Sequence, residues 1–449
     1  MNSQSTRSIA RTTLSPVAMG KRRQRPTQTS IWVATQDLPR SAAHPFYARL
    51  NQILDTDDFD GYVEELCQPF YAADGRPGLP PGRYFRLLLI GYFEGLDAER
   101  AIAWRAADSF ALREFLGLAL PEAPPDHSTI SRTRRLIDLE THQAVFTWML
   151  QRLADAGLVK GKTVGIDATT LEANAALRSI VRRDTGEGYQ DFLTKLAQAS
   201  GIETPTRADL ARIDRKRKKK GSNDDWTHPH DPDAKITKMK DGRTRLAHKA
   251  EHAVDLETGA IVGVMVQDAD DGDTETSTET LIEAAEQIEA VCPDGDGLQE
   301  VVGDKGYHSN QALVDLEAVG VRSYISEPDR GRRNWKKKPE GAQRCIAIDD
   351  AFAAHAACAC CGCVGSAWSD PSRISTRPAG CAVCTSEGTN ILKRLLIHTG
   401  GFNLGLLMRQ LIGVGTPRGL QGRLSAVMVA LLALIWSLVP RIRRPRRLA

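Results

Sequence analysis

The sequence predicts an α+β (mixed α/β) protein, with an all-helical N-terminal domain followed by a mixed sheet and its flanking helices. Two patterns carry this. Between His44 and Leu136, Phe46-Tyr47, Leu50, Ile53-Leu54, Phe59, Tyr62-Val63 and Leu66 recur at three- and four-residue steps, the period of helices buried on one face. Beyond residue 159 the pattern changes to short β-branched runs bounded by turn-formers, and one of them, Val164 to Ile166, ends on the carboxylate of Asp167.

In order, the chain opens with a polar, basic, Ser/Thr/Arg/Gln-rich arm over residues 1–42, too poor in apolar side chains to fold alone. It has the charge but not the apolar core of a signal peptide. The stretch Pro77 to Pro81 breaks the first helical run, and a strongly apolar helix follows through Tyr84, Leu87 to Ile90 and Tyr92-Phe93. Further helices are expected over Glu99 to Arg105 and Asp108 to Leu118. Pro124 to Ser128 then leads into a Ser/Thr/Arg-rich helix ending at Leu136. Its Ser131, Arg132, Arg134 and Arg135 suit contact with DNA phosphates, which hydroxyls and guanidinium groups meet readily. A plain helical bundle with a charged face is the competing reading.

A connecting amphipathic helix spans His142 to Ala156. Arg178 to His230 has little apolar content and includes the basic run Arg215 to Lys220, so it reads as a charged helix followed by a flexible loop. Thr244 to Asp255 and Ala260 to Val266, around a turn containing Gly259, form a hairpin. Thr278 to Val291 is a helix, Leu298 to Val302 a strand ending at Gly303-Asp304, Asn310 to Leu316 a helix, and Val321 to Ile325 a last strand.

The formal net charge of +3 is mild, but basic blocks at Lys21 to Arg23, Arg215 to Lys220, Arg330 to Lys338 and Arg441 to Arg447 keep a polyanion partner in play. The run Leu424 to Val439 falls short of the roughly 18–20 residues that cross a bilayer. It is expected to be a packed terminal helix, and the protein cytoplasmic and nucleoid-associated, without a membrane partner.

Asp167 could merely cap a helix starting near Leu171. A second aspartate, Asp304, at the end of another buried strand favours chemistry instead. Two such carboxylates can supply oxygens to hard divalent ions about 4 Å apart.

These stretches resemble bacterial insertion-sequence transposases of the DDE class. The resemblance rests on Arg83 to Gly95, Asp126 to Arg135, Gly165 to Thr170, Gly303 to Tyr307, Asn390 to Arg394 and His398 to Arg409, and extends over residues 44–345 and 389–440. It implies a ribonuclease-H-like catalytic core over residues 159–345, with a charged insertion at about 178–242, behind a helical DNA-binding domain over 43–158. It further implies that Asp167 and Asp304 are catalytic ligands of Mg²⁺ or Mn²⁺, with Lys305 and Tyr307 touching phosphate beside them. The implied partners are terminal-repeat and target DNA, bound by a homo-oligomer; the implied reaction is hydrolysis at the element's end followed by strand transfer.

The family's third acidic residue, a glutamate on a following helix, belongs before Asn390, and here the sequence departs. Glu387 stands too late and out of context, and residues 346–388 carry six of the nine cysteines, from Cys358 to Cys384, without helical or strand period. The pair Cys381 and Cys384 has zinc-like spacing, but Cys358, Cys360, Cys361 and Cys363 do not pair regularly. A pair of compensating frameshifts explains the segment better. Permitted codons for Gly365 to Ile374, read one nucleotide earlier, translate as RERLERPFAH, which resembles the family's segment around that glutamate. The lost residue would then be encoded across the codons of Trp368 and Ser369, and residues 389–449 would resume the family's C-terminal helices and basic tail. The expectation is a transposase by descent, inactive in this copy. A non-catalytic DNA-binding remnant that inhibits intact copies is the first alternative, and a nuclease using Glu172 or Glu251 as the substitute ligand the second.

Overall fold

A computed structural model describes residues 44–327 and 388–420, apart from residues 73, 76, 120, 218–220 and 240. The basic arm, the basic block Arg330 to Lys338 with the cysteine-rich segment after it up to residue 387, and the apolar run and basic block beyond residue 420 lie outside the described residues. Among the described residues no helix is long and apolar enough to cross a membrane.

Seven helices come first: α1 (Pro45–Thr56), α2 (Phe59–Cys67), α3 (Pro81–Glu94), α4 (Glu99–Asp108), α5 (Phe110–Phe115), α6 (His127–Leu136) and α7 (Leu139–Asp155). Helix α3 is their centre. It begins with Pro81, whose fixed φ suits a first helical turn, and stops at Gly95, whose φ of 68° closes the last turn onto Gly91 and Tyr92. Tyr84, Phe85, Leu87, Leu88, Leu89, Ile90 and Phe93 are all buried, so α3 is apolar nearly all round. The one charge buried in it, Arg86, reaches Asp55 and Asp60 at 3.0 and 3.1 Å, which keeps its guanidinium paired.

The sheet is built from β1 (Thr163–Glu172), β4 (Lys235–Lys238), β5 (Thr244–Asp255), β6 (Ile261–Asp268), β7 (Glu300–Gly303) and β8 (Arg322–Ile325). Strand β1 is central: β5 pairs with it antiparallel, β7 parallel, and β8 continues parallel beyond β7. The far edge of β5 is shared by β6 and β4. Three antiparallel strands followed by two parallel ones, with β1 in the middle, is the mixed sheet expected of a ribonuclease-H-like core. Helix α10 (Asp273–Val291) joins β6 to β7, and α11 (Asn310–Ala318) joins β7 to β8. On α10's side, Gly263 of β6 lets the helix approach, because a Cβ there would lie 3.2 Å from the backbone nitrogen of Ala284. Helix α12 (Gly388–Ile412) packs against α7 and β6. Its buried Asn403 extends β6 by one residue's worth of pairing, its side-chain amide accepting from the Ile261 N–H and donating to the Ile261 carbonyl.

Two expectations need correcting. Strand β1 does not end at Asp167, and no helix starts near Leu171: pairing with β5 carries β1 on to Glu172, opposite Ala247. The Thr169-Thr170 step suits a pleated strand as well as it suits a turn. Nor is the insertion one helix and a loop. It holds α8 (Tyr189–Ala199), α9 (Arg207–Lys216) and the short pair β2 (Val181–Arg182) and β3 (Trp226–Thr227). Its few apolar residues are concentrated around Trp226, where Tyr189 and Phe192 meet the indole edge-on. Arg182 and Arg217 stack on those rings, so long cationic side chains cover what aliphatic ones do elsewhere.

Candidate active site

The site is organised by one register. Ile166 of β1 is aligned with Gly303 of β7, the last pair of that parallel ladder. Asp167 and Asp304 are therefore the next residues on two neighbouring strands, whose backbones lie about 4.8 Å apart in a sheet. Asp167 is half-buried and its carboxylate accepts from the Ala168 N–H at 2.9 Å. Asp304 is exposed and accepts from the Gly306 N–H at 2.8 Å, which shapes the turn Lys305–Tyr307.

Behind that turn stands a carboxylate that sequence reasoning gave a different part. Glu251 of β5 is fully buried. It accepts from the hydroxyls of Thr276 and Thr280 on α10 at 2.5 and 2.7 Å, from the Tyr307 hydroxyl at 3.4 Å, and pairs with buried Lys249 at 3.3 Å. Lys249 also pairs with Asp273 at the start of α10, at 2.9 Å. Residues directly opposed across strands share a face of the sheet, and Glu251 opposes Ala168, whereas Asp167 opposes His252. Glu251 thus faces α10, on the side away from Asp167, with its lone pairs already engaged. Glu172, the other proposed substitute, is exposed and ion-paired to Arg245. Neither is arranged as a third ligand beside Asp167. Charged residues inside the hairpin arm, Lys249 and Glu251, were the signal for this network, but nothing in a sequence reports that both faces of the strand are covered.

Tyr307 does not touch solvent either. It is 1% exposed, and burial together with the charges of Glu251, Asp273, Asp167 and Asp304 pushes its phenol far above the usual range. Of the two residues expected to touch phosphate, Tyr307 is thus buried and Lys305 exposed.

On Asp167's face lie His252 and, four residues along β1, Leu171 opposite His248. Gly388, the first residue of α12, donates its N–H to Asp233 at 2.9 Å, and a Cβ there would lie 4.0 Å from His248 Nδ1. The chain therefore enters α12 on the same face as Asp167. His248 is held from its other side by Asp231 at 3.1 Å, both buried.

Burial pushes His252 down to about 4 and His142 to about 3. His142 is set as a neutral ring, Nδ1 toward the Asp138 carbonyl at 2.6 Å and Nε2 toward the Tyr84 hydroxyl at 3.0 Å. The unfolded chain takes up protons at these positions below about pH 6.5 while the fold refuses them, so stability present above that pH is lost on acidification. Denaturant midpoints measured between pH 7.5 and 5 should fall, each histidine contributing about 2 kcal/mol by pH 5. A flat profile would show that both rings are open to protons, and half the fall that one is.

In α6, Asp126 caps the first turn by accepting from the Ser128 N–H at 2.9 Å, and this holds its own carboxyl down at about 2. The helix start is thus already taken by an anion. Arg132 and Arg135 are exposed and Ser131 half-buried, all in the later turns. Arg134 departs from the expected set: it is buried and ion-paired to buried Glu99 of α4, so its charge is directed inward rather than to a ligand.

Two family profiles match the chain, a transposase domain over residues 34–136 and a transposase DDE domain over residues 221–353. Together they span more than half of its length. The chain belongs to the DDE-class transposases. The second match contains Asp304 and begins beyond Asp167, so the pairing of the two aspartates rests on the strand register. No curated protein matches the chain. Among solved structures, the Mos1 transposase paired-end complex with the left transposon end is similar at 11% identity and a TM-score of 0.18. That comparison takes in 56% of this chain, which spans 62% of the Mos1 chain. Among the described residues of this transposase no group of three His, Cys, Asp or Glu side chains is arranged to hold a metal ion.

Proposed function

We propose that this chain descends from an insertion-sequence transposase, that it binds transposon-end and target DNA, and that its cleavage and strand transfer are lost with the third acidic residue. The observation that carries the reading is the β1–β7 register, which supports Asp167 and Asp304 as neighbouring carboxylates at a sheet end. Their chemistry fits a hard cation such as Mg²⁺ or Mn²⁺, with carboxylate oxygens as ligands. When bound, such ions supply Lewis acidity to a phosphodiester and lower the cost of a developing oxyanion. Asp167 and Asp304 would hold them, Lys305 would draw in phosphate, and Arg132 and Arg135 would contribute the sequence-independent part of DNA affinity. The alternative, a remnant that occupies element ends and inhibits intact copies as a mixed oligomer, keeps the binding and drops the chemistry.

A strand-transfer assay in Mg²⁺ beside a gel shift on element-end DNA separates these. The expected result is a shift at about 50 mM salt, weakened strongly at about 200 mM, with no cleaved product. Mn²⁺ binding by calorimetry should be lost in Asp167→Ala and in Asp304→Ala. Cleavage by the unaltered chain, abolished by Asp167→Ala, would show that a third ligand is present after all. Mn²⁺ binding unchanged in both variants would end the metal reading.

A further inference from the structure

We propose that Glu251 is a positioning residue for the Asp304 side of the site, acting through the Tyr307 hydroxyl. The inference rests on the metal reading of Asp167 and Asp304. Asp304 and Tyr307 are the two ends of one tight turn: Asp304 accepts from Gly306 at 2.8 Å, and the Tyr307 N–H returns to the Asp304 carbonyl at 3.2 Å. Asp304 is exposed, whereas Tyr307, three residues along the same turn, is buried and tied to Glu251. Glu251 is itself immobilised by Thr276, Thr280 and Lys249, so β5, α10 and the Asp304 turn meet at one carboxylate. Gly306 completes the fit, because a Cβ there would lie 2.7 Å from the Asp273 carboxylate and 2.9 Å from that of Asp304. A long side chain at position 306 would therefore push the two acids apart.

The physical reason for burying a carboxylate here is geometric. An apolar residue at position 251 would take an acceptor away from two threonine hydroxyls, a phenol and a lysine in a dry layer. With the carboxylate present, all four converge and the turn has one position rather than several. Groups behind a metal ligand that hold it in this way typically govern metal affinity by about 10–100-fold.

The test is a double-mutant cycle read by Mn²⁺ affinity in the full chain. Glu251→Gln and Tyr307→Phe should each weaken Mn²⁺ binding by about tenfold, and the double variant should be no weaker than either alone, because both break the same link. Ile288→Val, which trims the buried face of α10 away from the network, controls for lost stability and should leave the affinity unchanged. Additive effects of the two variants, or a loss in Ile288→Val as large as theirs, would overturn the positioning role. So would unchanged affinity in Glu251→Gln and Tyr307→Phe while Asp167→Ala and Asp304→Ala abolish binding, and that outcome leaves the metal reading standing. Mn²⁺ binding that survives both aspartate variants overturns the two together.

Discussion

Restoring the reading frame one nucleotide back across codons 346–388 should turn an inert chain into one that cleaves and joins DNA in Mg²⁺. The gain expected is at least roughly 10²–10³-fold, the scale on which one charge-stabilising group contributes to a step of this kind. Two carboxylates can hold a hard ion that keeps several waters, but a two-ion clamp on the attacking and leaving oxygens calls for a third acid. The restored segment supplies the glutamate encoded across the codons of Trp368 and Ser369, and it does so from the right side. Gly388 enters α12 beside Asp233 and His248, on the face of the sheet that carries Asp167. A glutamate some twenty residues upstream in the chain has ample reach to that face. In the repaired chain Asp167→Ala should remove the gained activity entirely. A repaired chain that binds DNA, folds and still cleaves nothing would refute the frameshift account of the lost function. Sequencing settles the premise separately, since a stop in the earlier frame within those codons excludes it.

How far the sequence revealed this site follows from what each signal measures. Strands β5, β6, β7 and β8 fall within two residues of their expected limits, because β-branched runs between turn-formers report local preference directly. Strand β1 was cut short because its outer half, Ala168 to Glu172, is held by β5 alone, and a partner 80 residues away leaves no local trace. The insertion looked too polar to fold, yet arginine stems stacked on Tyr189, Phe192 and Trp226 close a small core. Asp304 could be placed at a strand end from its own run alone, but Glu251 could not be placed. Its face depends on the β1–β5 register, where a slip of one residue would turn it toward Asp167. The inward position of Arg134 was legible in its spacing. Ile130, Thr133, Arg134 and Ile137 recur at the helical period and all four are buried, so Arg134 lies on the inner face of α6 while Arg132 and Arg135 lie on the outer.

That buried arginine gives the second large effect. Glu99→Ala should destabilise the chain by about 3–5 kcal/mol, the cost of stranding a buried charge when its partner is removed. Both side chains are less than 10% exposed, so water cannot replace the missing carboxylate. Burial by itself would raise the Glu99 carboxyl, but Arg134 and Arg394 beside it hold it below the usual range. The pair's contribution is therefore present above about pH 4.3 and lost as pH falls through the lowered value, whereas the buried histidines begin to act already below about pH 6.5. Replacing both partners, Glu99→Leu with Arg134→Met, should recover most of the loss, because an apolar pair of similar volume avoids the desolvation that the ion pair must offset. The same double variant separates structure from recognition. If Arg134 serves only the fold, the double variant binds DNA with the salt slope of the parent chain, while Arg132→Ala and Arg135→Ala each lower that slope by about one. A double variant that is stable yet loses DNA affinity would mean that α6 turns its inner face outward on binding, and Glu99 would then be the latch that holds Arg134 until DNA competes for it.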